Sequence, residues 1–273
     1  MPYELAIIGA GVMAEAIARG ILRGGVLPAE QMIAADISAP RREFFQNTLG
    51  IKAVEDAAVA AADAAAVLLC VKPHQMQGVL QRLGAAMHQQ PLVISIAAGI
   101  GTTFIEKTLG GGKRWRIVRA VPNTPMLVGE GMVAIAAGAH ASPADLSRAR
   151  QIFQAGAKVL QTTEDKLDAV TAVSGSGPAY FFFLVEQMIR AATELGLGAD
   201  EARTLAIQTA AGAAKIMSQP TDAPADPAEH RRRVTTPGGT THAAINHLEA
   251  QHWPQITVDA IKAAAQRSRE MGK

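Results

Sequence analysis

The chain has a single cysteine, Cys70, among 273 residues. It can close no internal disulfide, a usage that fits a reducing compartment such as the cytoplasm. Inside the run AAAVLLCVKP, Cys70 reads as a small buried core residue. Aromatic side chains are scarce, 4% of residues against 49% hydrophobic. The core must therefore be built from Ala, Val, Ile and Leu, whose small side chains let helices approach closely. Charge of one sign is also lacking. A formal net charge of +2 creates no field for nucleic acid, and the one dense basic run, Arg231-Arg232-Arg233, lacks interleaved aromatics. It reads as a solvated helix face or a local anion contact. No uncharged apolar run reaches the length needed to cross a bilayer. The N-terminal stretch MPYELAIIGAG starts directly with a strand, without the basic and apolar regions of a signal peptide. A soluble cytoplasmic protein is expected, with neither membrane nor nucleic-acid partner. HExxH and CxxC are absent, and His242 and His247 diverge on a helix, so no metal site is expected.

What is present begins with an alternation. Apolar runs from Tyr3, over Gln31–Asp36, Ala65–Val71, Pro91–Ala98, Arg116–Pro122 and Gly131–Gly138, read as strands buried on both faces. Helical patterns lie between them at Ala14–Leu22, Arg41–Leu49, Gln75–Met87 and Thr103–Leu109. This is the pattern of an α/β domain with a doubly wound parallel sheet covered by helices. After about Asp165 the reading becomes all helical, with long helices over Pro178–Leu197 and Ala199–Met217, a short one, and a last one over Pro254–Arg269. The proline-rich stretch Ser218–Pro227 reads as an exposed loop. The expected domains are residues 1–163 and 164–273. The Pro178–Leu197 helix is apolar on most sides, which is easier to bury in an oligomer than in a lone four-helix domain.

A nucleotide loop opens the first domain. Gly9, Gly11 and Ala14 form a G-x-G-x-x-A pattern after a strand and at the start of a helix. Gly9 permits the tight turn, Gly11 lets the backbone approach a pyrophosphate, and Ala14 keeps helix and strand close. Free N–H groups at the helix start then face the phosphates. Asp36, at the end of the second strand, is placed to bond a ribose 2′-hydroxyl and favour NAD. Arg41 and Arg42 follow closely, and either could meet the 2′-phosphate of NADP. Equally, Asp36 could be a turn residue and the arginines a solvated helix start. NADPH and NADH both remain open. Val71-Lys72-Pro73 follows the Ala65–Val71 strand, where ligands contact strand ends; Lys72 approaches the cofactor or holds a helix terminus.

Three small-residue segments remain: AVPNTP (Ala120–Pro125), AVSGSGPAYFF (Ala172–Phe182) and VTTPGGTTHAAINHLE (Val234–Glu249). Together, behind the N-terminal G-x-G-x-M-A, they resemble the pyrroline-5-carboxylate reductase family, almost end to end and in the same order. Val121 stands where that family commonly has Met, Thr236 where Ser commonly precedes Pro-Gly-Gly, and the 218–227 loop looks longer or looser than usual. The resemblance implies NAD(P)H-dependent reduction of the C=N bond of 1-pyrroline-5-carboxylate to L-proline, the last step of proline synthesis. It implies a Rossmann domain followed by a helical dimerisation domain, a homodimer at least, often assembled further, and an active site near the dimer interface. By match, Gly9, Ala10, Gly11, Val12, Met13, Lys72, Pro73, Ala97 and Asn123 would surround the cofactor. Ser174, Gly175, Ser176, Gly177, Thr235, Thr236, Gly238, Gly239, Thr240 and Thr241 would hold the substrate.

The chemistry agrees with these residue types. The substrate is a small carboxylate carrying an imine, and loop N–H groups before a helix recognise a carboxylate without crowding the hydride path. Glycines at 238 and 239 let the backbone come close. With the imine nitrogen protonated, hydride addition needs no metal or nucleophile, only positioning and a hydrogen bond to the nitrogen. Thr241 is the residue expected to make that bond; its other reading is an N-cap with no substrate role. Ser176 is either a substrate contact or a cap. Competing readings are another Rossmann reductase with a helical second domain and a cofactor-sensing protein without turnover. The first would place a Lys or Asp acid/base in the helical domain, where Lys215 has no convincing partner.

Overall fold

In the computed structural model, which describes residues 3–219 and 226–271, the N-terminal alternation forms an eight-stranded sheet ordered β3-β2-β1-β4-β5-β6-β7-β8. The strands are β1 (Tyr3–Ile8), β2 (Met32–Ala35), β3 (Lys52–Val54), β4 (Ala64–Leu69), β5 (Leu92–Ser95), β6 (Ile117–Pro122), β7 (Gly131–Ala137) and β8 (Ala157–Gln161). The first six are mutually parallel, β7 runs antiparallel to β6, and β8 is parallel to β7. The expected parallel sheet is thus corrected at its far edge. Only the short 3₁₀ turn Thr124–Val128 links β6 to β7, and a parallel return would need a crossover of a dozen or more residues. Two strands were not expected: β3, three residues long, and β8, an edge strand with partly exposed side chains.

Helices α1 (Val12–Arg23), α2 (Ala39–Leu49), α3 (Ala57–Ala61), α4 (Met76–Ala86), α5 (Thr102–Leu109) and α6 (Pro143–Gln154) accompany this sheet. Period-two alternation of β1 sends Leu5 and Ile7 to one core, with Ile17, Phe45 and Phe153, and Ala6 and Ile8 to the other, with Leu80, Ile105 and Trp115. The aliphatic composition is explained by these two cores, in which each fully buried large side chain contributes about 1.5–3 kcal/mol. Among the few aromatics, buried Phe45 meets the Phe44 ring edge-on at 6.2 Å, and the Trp115 Nε1–H donates to the Gly110 carbonyl at 3.0 Å. The short helix α7 (Leu167–Val170) and a π-helical turn at Thr171–Gly175 end the run.

The contacts divide the chain into Met1–Ser176 with Ala264–Lys273, and Gly177–Ala263. This division falls later than residue 163 because α7 and the π turn pack on β7 and β6. The second unit contains α8 (Gly177–Glu194), α9 (Ala199–Met217), α10 (Pro227–Arg233), α11 (Thr240–Ala250) and most of α12 (Trp253–Met271). Asp226 caps α10, its carboxylate accepting the Ala228 N–H, with Pro227 in the first helical position. Most of the proline-rich loop expected at 218–227 lies outside the described residues. Along α8 only Gly177 is buried, and Phe181, Phe182 and Phe183 are each more than 60% exposed. The end of α12 groups with the first unit, where the buried Ser268 hydroxyl donates to Asp168 Oδ1 at 2.6 Å. No helix among the described residues is long and apolar enough to cross a membrane.

Candidate active site

The order of the sheet reverses around β1, which has β2 on one side and β4 on the other. Ligands of such sheets bind outside the strand carboxyl ends at this point. Gly9 sits there with φ 94°, and a Cβ on it would lie 3.0 Å from the Cys70 carbonyl carbon and oxygen and from the Val71 nitrogen. Neither the dihedral nor the space admits another residue without strain. Gly11 is the N-cap of α1, has no side-chain cap, and would carry a Cβ into open space. The first N–H groups of α1, from Val12 and Met13, are thus left for a ligand, with the positive end of the helix behind them. A pyrophosphate fits this cradle.

Asp36 is held tightly to the loop. Its Oδ2 accepts the Ala10 N–H at 2.7 Å and its Oδ1 the Ser38 N–H at 2.8 Å. Arg41 Nε donates to the Ala10 carbonyl at 2.6 Å and its Nη2 to Glu15 at 3.0 Å, with the guanidinium 4.8 Å from the Phe44 ring centre. Arg42 donates to the carbonyls of Asp36 and Ile37 and pairs with Glu55. The arginines are therefore not a bare solvated helix start. Burial disfavours ionisation of Glu15, but hydrogen bonds from Arg41 and Arg19 outweigh it and hold its carboxyl below the usual range. Cys70, beside the loop, has its thiol pushed up by burial and stays neutral.

Farther along the strand ends, Lys72 is exposed, its N–H donating to Gln75 Oε1 at 3.3 Å and Pro73 opening a single 3₁₀ turn. Buried Ala97 donates its N–H to Ser95 Oγ at 3.3 Å. Asn123 is used as a clip. Its Nδ2 donates to the Ser174 carbonyl and hydroxyl at 3.2 and 3.3 Å, and its Oδ1 accepts the Met132 N–H at 2.8 Å. The PNTP and SGSG segments are brought together in this way. Ser174 and Gly175 lie in the π turn, where the Ser176 N–H reaches back to the Thr171 carbonyl at 2.8 Å. Such turns recur at functional sites. Val121, where Met is usual, is simply a core contact with Ala134 and Leu167.

In the second unit, residues 235–241 fold as a tight turn into α11. The Thr235 hydroxyl donates to the Arg231 carbonyl at 2.6 Å, and the Gly239 N–H to the Thr236 carbonyl at 3.0 Å. Gly238 has φ 75°, and its N–H faces His242 Nδ1 at 3.4 Å. The N-cap of α11 is Gly239, with no side-chain cap. Thr240 and Thr241 are the first two helical residues, which corrects the reading of Thr241 as an N-cap. Glycine leaves the helix N-terminus open, and the half-buried Thr241 hydroxyl has no partner among the described residues. A buried cation that sequence reasoning missed, Arg119 of β6, pairs with Glu164.

Comparison with known proteins agrees with both halves. A family described as "Pyrroline-5-carboxylate reductase dimerisation" matches residues 164–271, and one described as "NADP oxidoreductase coenzyme F420-dependent" matches residues 4–99. A pyrroline-5-carboxylate reductase of Pseudomonas aeruginosa is 42% identical over 99% of this chain and 97% of its own length. One from Synechocystis is 38% identical over the whole of both chains. Among solved structures, a pyrroline-5-carboxylate reductase from Coxiella burnetii superposes with a TM-score of 0.90 at 35% identity, covering 100% of both chains. One from Plasmodium falciparum with NADP bound gives 0.87 at 26% identity, covering 99% of this chain and 98% of that one. With relatives matched end to end at such identity, this chain belongs to the pyrroline-5-carboxylate reductase family.

Proposed function

We propose that the chain reduces 1-pyrroline-5-carboxylate to L-proline with NAD(P)H. The observation that carries the reading is the turn 235–239, which leaves the N-terminus of α11 uncapped beside an unpartnered Thr241 hydroxyl. Backbone N–H groups of Thr240 and Thr241 bind the substrate carboxylate, helped by the positive end of the helix. The Thr241 hydroxyl orients the ring nitrogen, which carries the proton that becomes the N–H of proline. Ser174, Gly175, Ser176 and Gly177 complete the substrate contacts. Gly9 to Met13 hold the pyrophosphate, Asp36 and the arginines meet the adenosine ribose, and Val71 to Pro73, Ala97 and Asn123 line the remaining path. The cofactor supplies the hydride. One hydride to carbon and one proton on nitrogen balance the reduction, so the chain needs to position and to exclude water rather than to supply a nucleophile.

The chain carries the family's dimerisation segment and acts as a homo-oligomer. Assembly beyond the dimer is part of this proposal, supported by the exposed apolar residues along α8 and α9. A reducing cytoplasm is the location that suits its lone cysteine. The deciding experiment follows the oxidation of NADH and NADPH separately, with and without 1-pyrroline-5-carboxylate. Substrate-dependent oxidation of at least one is expected, and the ratio of rates reports the preference. No turnover with either would overturn the assignment.

A further inference from the structure

Strand β6 reads Ile-Val-Arg-Ala-Val-Pro, and its one charge, Arg119, is only 5% exposed. The register sets Arg119 beside Ser95 of β5 and Ala136 of β7. A guanidinium is costly to bury unless its donors are filled. Here the Nη1 group lies 3.5 Å from Glu164 Oε1, while Nε and Nη2 are buried with no hydrogen-bond partner among the described residues. As a stabilising device this is poor, and an apolar side chain of similar length would pack at least as well. Glu164, by contrast, is fully used. Its Oε1 accepts the Thr102 N–H at 2.7 Å and its Oε2 the Thr102 hydroxyl at 2.6 Å. It supplies the cap that Gly101, the N-cap of α5, cannot provide. On the neighbouring strand, the Ser95 hydroxyl accepts the N–H of Ala97. The connection from β5 to α5 is therefore pinned at both ends, by Ser95 at its start and by Glu164 at its finish.

We propose that Arg119 is a positioning residue for the nicotinamide half of the site. It holds Glu164 on the first turn of α5 and so fixes the connection 96–101 that carries Ala97. The inference rests on the reductase reading above, because Ala97 borders the cofactor only in that reading. The adenosine half is anchored elsewhere, at Gly9 and Asp36, so loss of Arg119 should disturb hydride geometry without weakening the adenosine grip. The test compares wild type with Arg119→Met, Glu164→Ala and Glu164→Gln. Four quantities are read: kcat, the dissociation constant of 2′,5′-ADP, the melting temperature, and amide hydrogen exchange over 96–102. Arg119→Met and Glu164→Ala should lower kcat about tenfold or more and speed exchange over 96–102. In both, 2′,5′-ADP affinity should stay within about twofold, and Arg119→Met should melt no lower than wild type. Glu164→Gln, which keeps one carbonyl acceptor for the Thr102 N–H, should fall between. Unchanged kcat and exchange overturn the proposal. So does a kcat loss matched by lost 2′,5′-ADP affinity or by a lower melting temperature of Arg119→Met, which would make the pair merely structural. If wild type itself fails to turn over, the reductase reading falls, and the exchange data still decide whether Arg119 fixes the connection.

Discussion

Replacing Thr241 by alanine isolates one hydrogen bond in a way that few active-site substitutions allow. The residue is the second of α11, the N-cap role belongs to Gly239, and the hydroxyl has no partner within the described chain. Removing it leaves no donor or acceptor stranded, and alanine is the better helix former by about 0.5 kcal/mol. The folded state should therefore be unaffected or slightly more stable. A hydrogen bond to a charged group is worth about 1.5–3 kcal/mol, and the ring nitrogen is charged as the hydride arrives. If the hydroxyl makes that bond, kcat/KM for 1-pyrroline-5-carboxylate should fall about 10- to 150-fold. The dissociation constant for NADPH and the melting temperature should stay as in wild type. Steady-state kinetics with a parallel fluorescence titration and a melting curve measure all three. A kcat/KM within about twofold of wild type would refute the role and leave substrate orientation to the backbone alone.

Four further outcomes follow from the geometry. Gly9→Ala forces a Cβ into a left-handed dihedral and against the backbone of Cys70 and Val71; about 1–2 kcal/mol from the dihedral and about 1–3 from overpacking should weaken NADPH binding and lower the melting temperature together, and an unaltered titration would show that the loop adapts. Glu15, whose carboxyl is held low in the folded state, contributes stability above the unfolded carboxylate range that is lost as pH falls through the folded value. Glu15→Gln should thus cost stability at neutral pH and nothing in strong acid, seen as a shallower acid limb in melting temperature against pH. His252 adopts φ 58° between α11 and α12, so His252→Gly should raise the melting temperature by relieving about 1 kcal/mol, and a fall would mean that chain entropy outweighs the strain. Phe182→Glu puts a charge on the exposed face of α8 and should shift sedimentation toward the monomer; an intact oligomer would place the contact elsewhere.

Much of this was legible in the residues, for reasons that can be named. Gly9, Gly11 and Ala14 act through local backbone geometry, which six consecutive positions specify, and the apolar runs of β1, β4, β5 and β6 are long enough to mark buried strands. The antiparallel turn of β7 left no trace in its own composition, because Val133 and Ile135 would be buried in either direction; only the brevity of 124–128 reveals it. β3 is too short for a period, and β8, half-exposed at the sheet edge, alternates weakly. In the site, the alternative reading of Thr241 as an N-cap fails because Gly239, two residues earlier, already holds that place, and a threonine beside a helix start does not by itself say which residue caps it. The clip made by Asn123 on Ser174 and the bond from Thr102 to Glu164 join residues 51 and 62 positions apart. Such pairings are set by which strands lie side by side, and nothing local in the sequence encodes them.

The bare face of α8 has a consequence for how the protein must be handled. If the exposed side of this 18-residue helix, which buries only its first residue, closes on a second copy, folding and assembly share one equilibrium. Each tenfold dilution of the protomer then removes about 1.4 kcal/mol from that equilibrium. The melting temperature becomes a property of concentration as well as of sequence. Enzyme diluted to nanomolar levels for assay will lose activity over time unless ligand is present, since whatever binds only the assembled form restores by mass action what dilution removed.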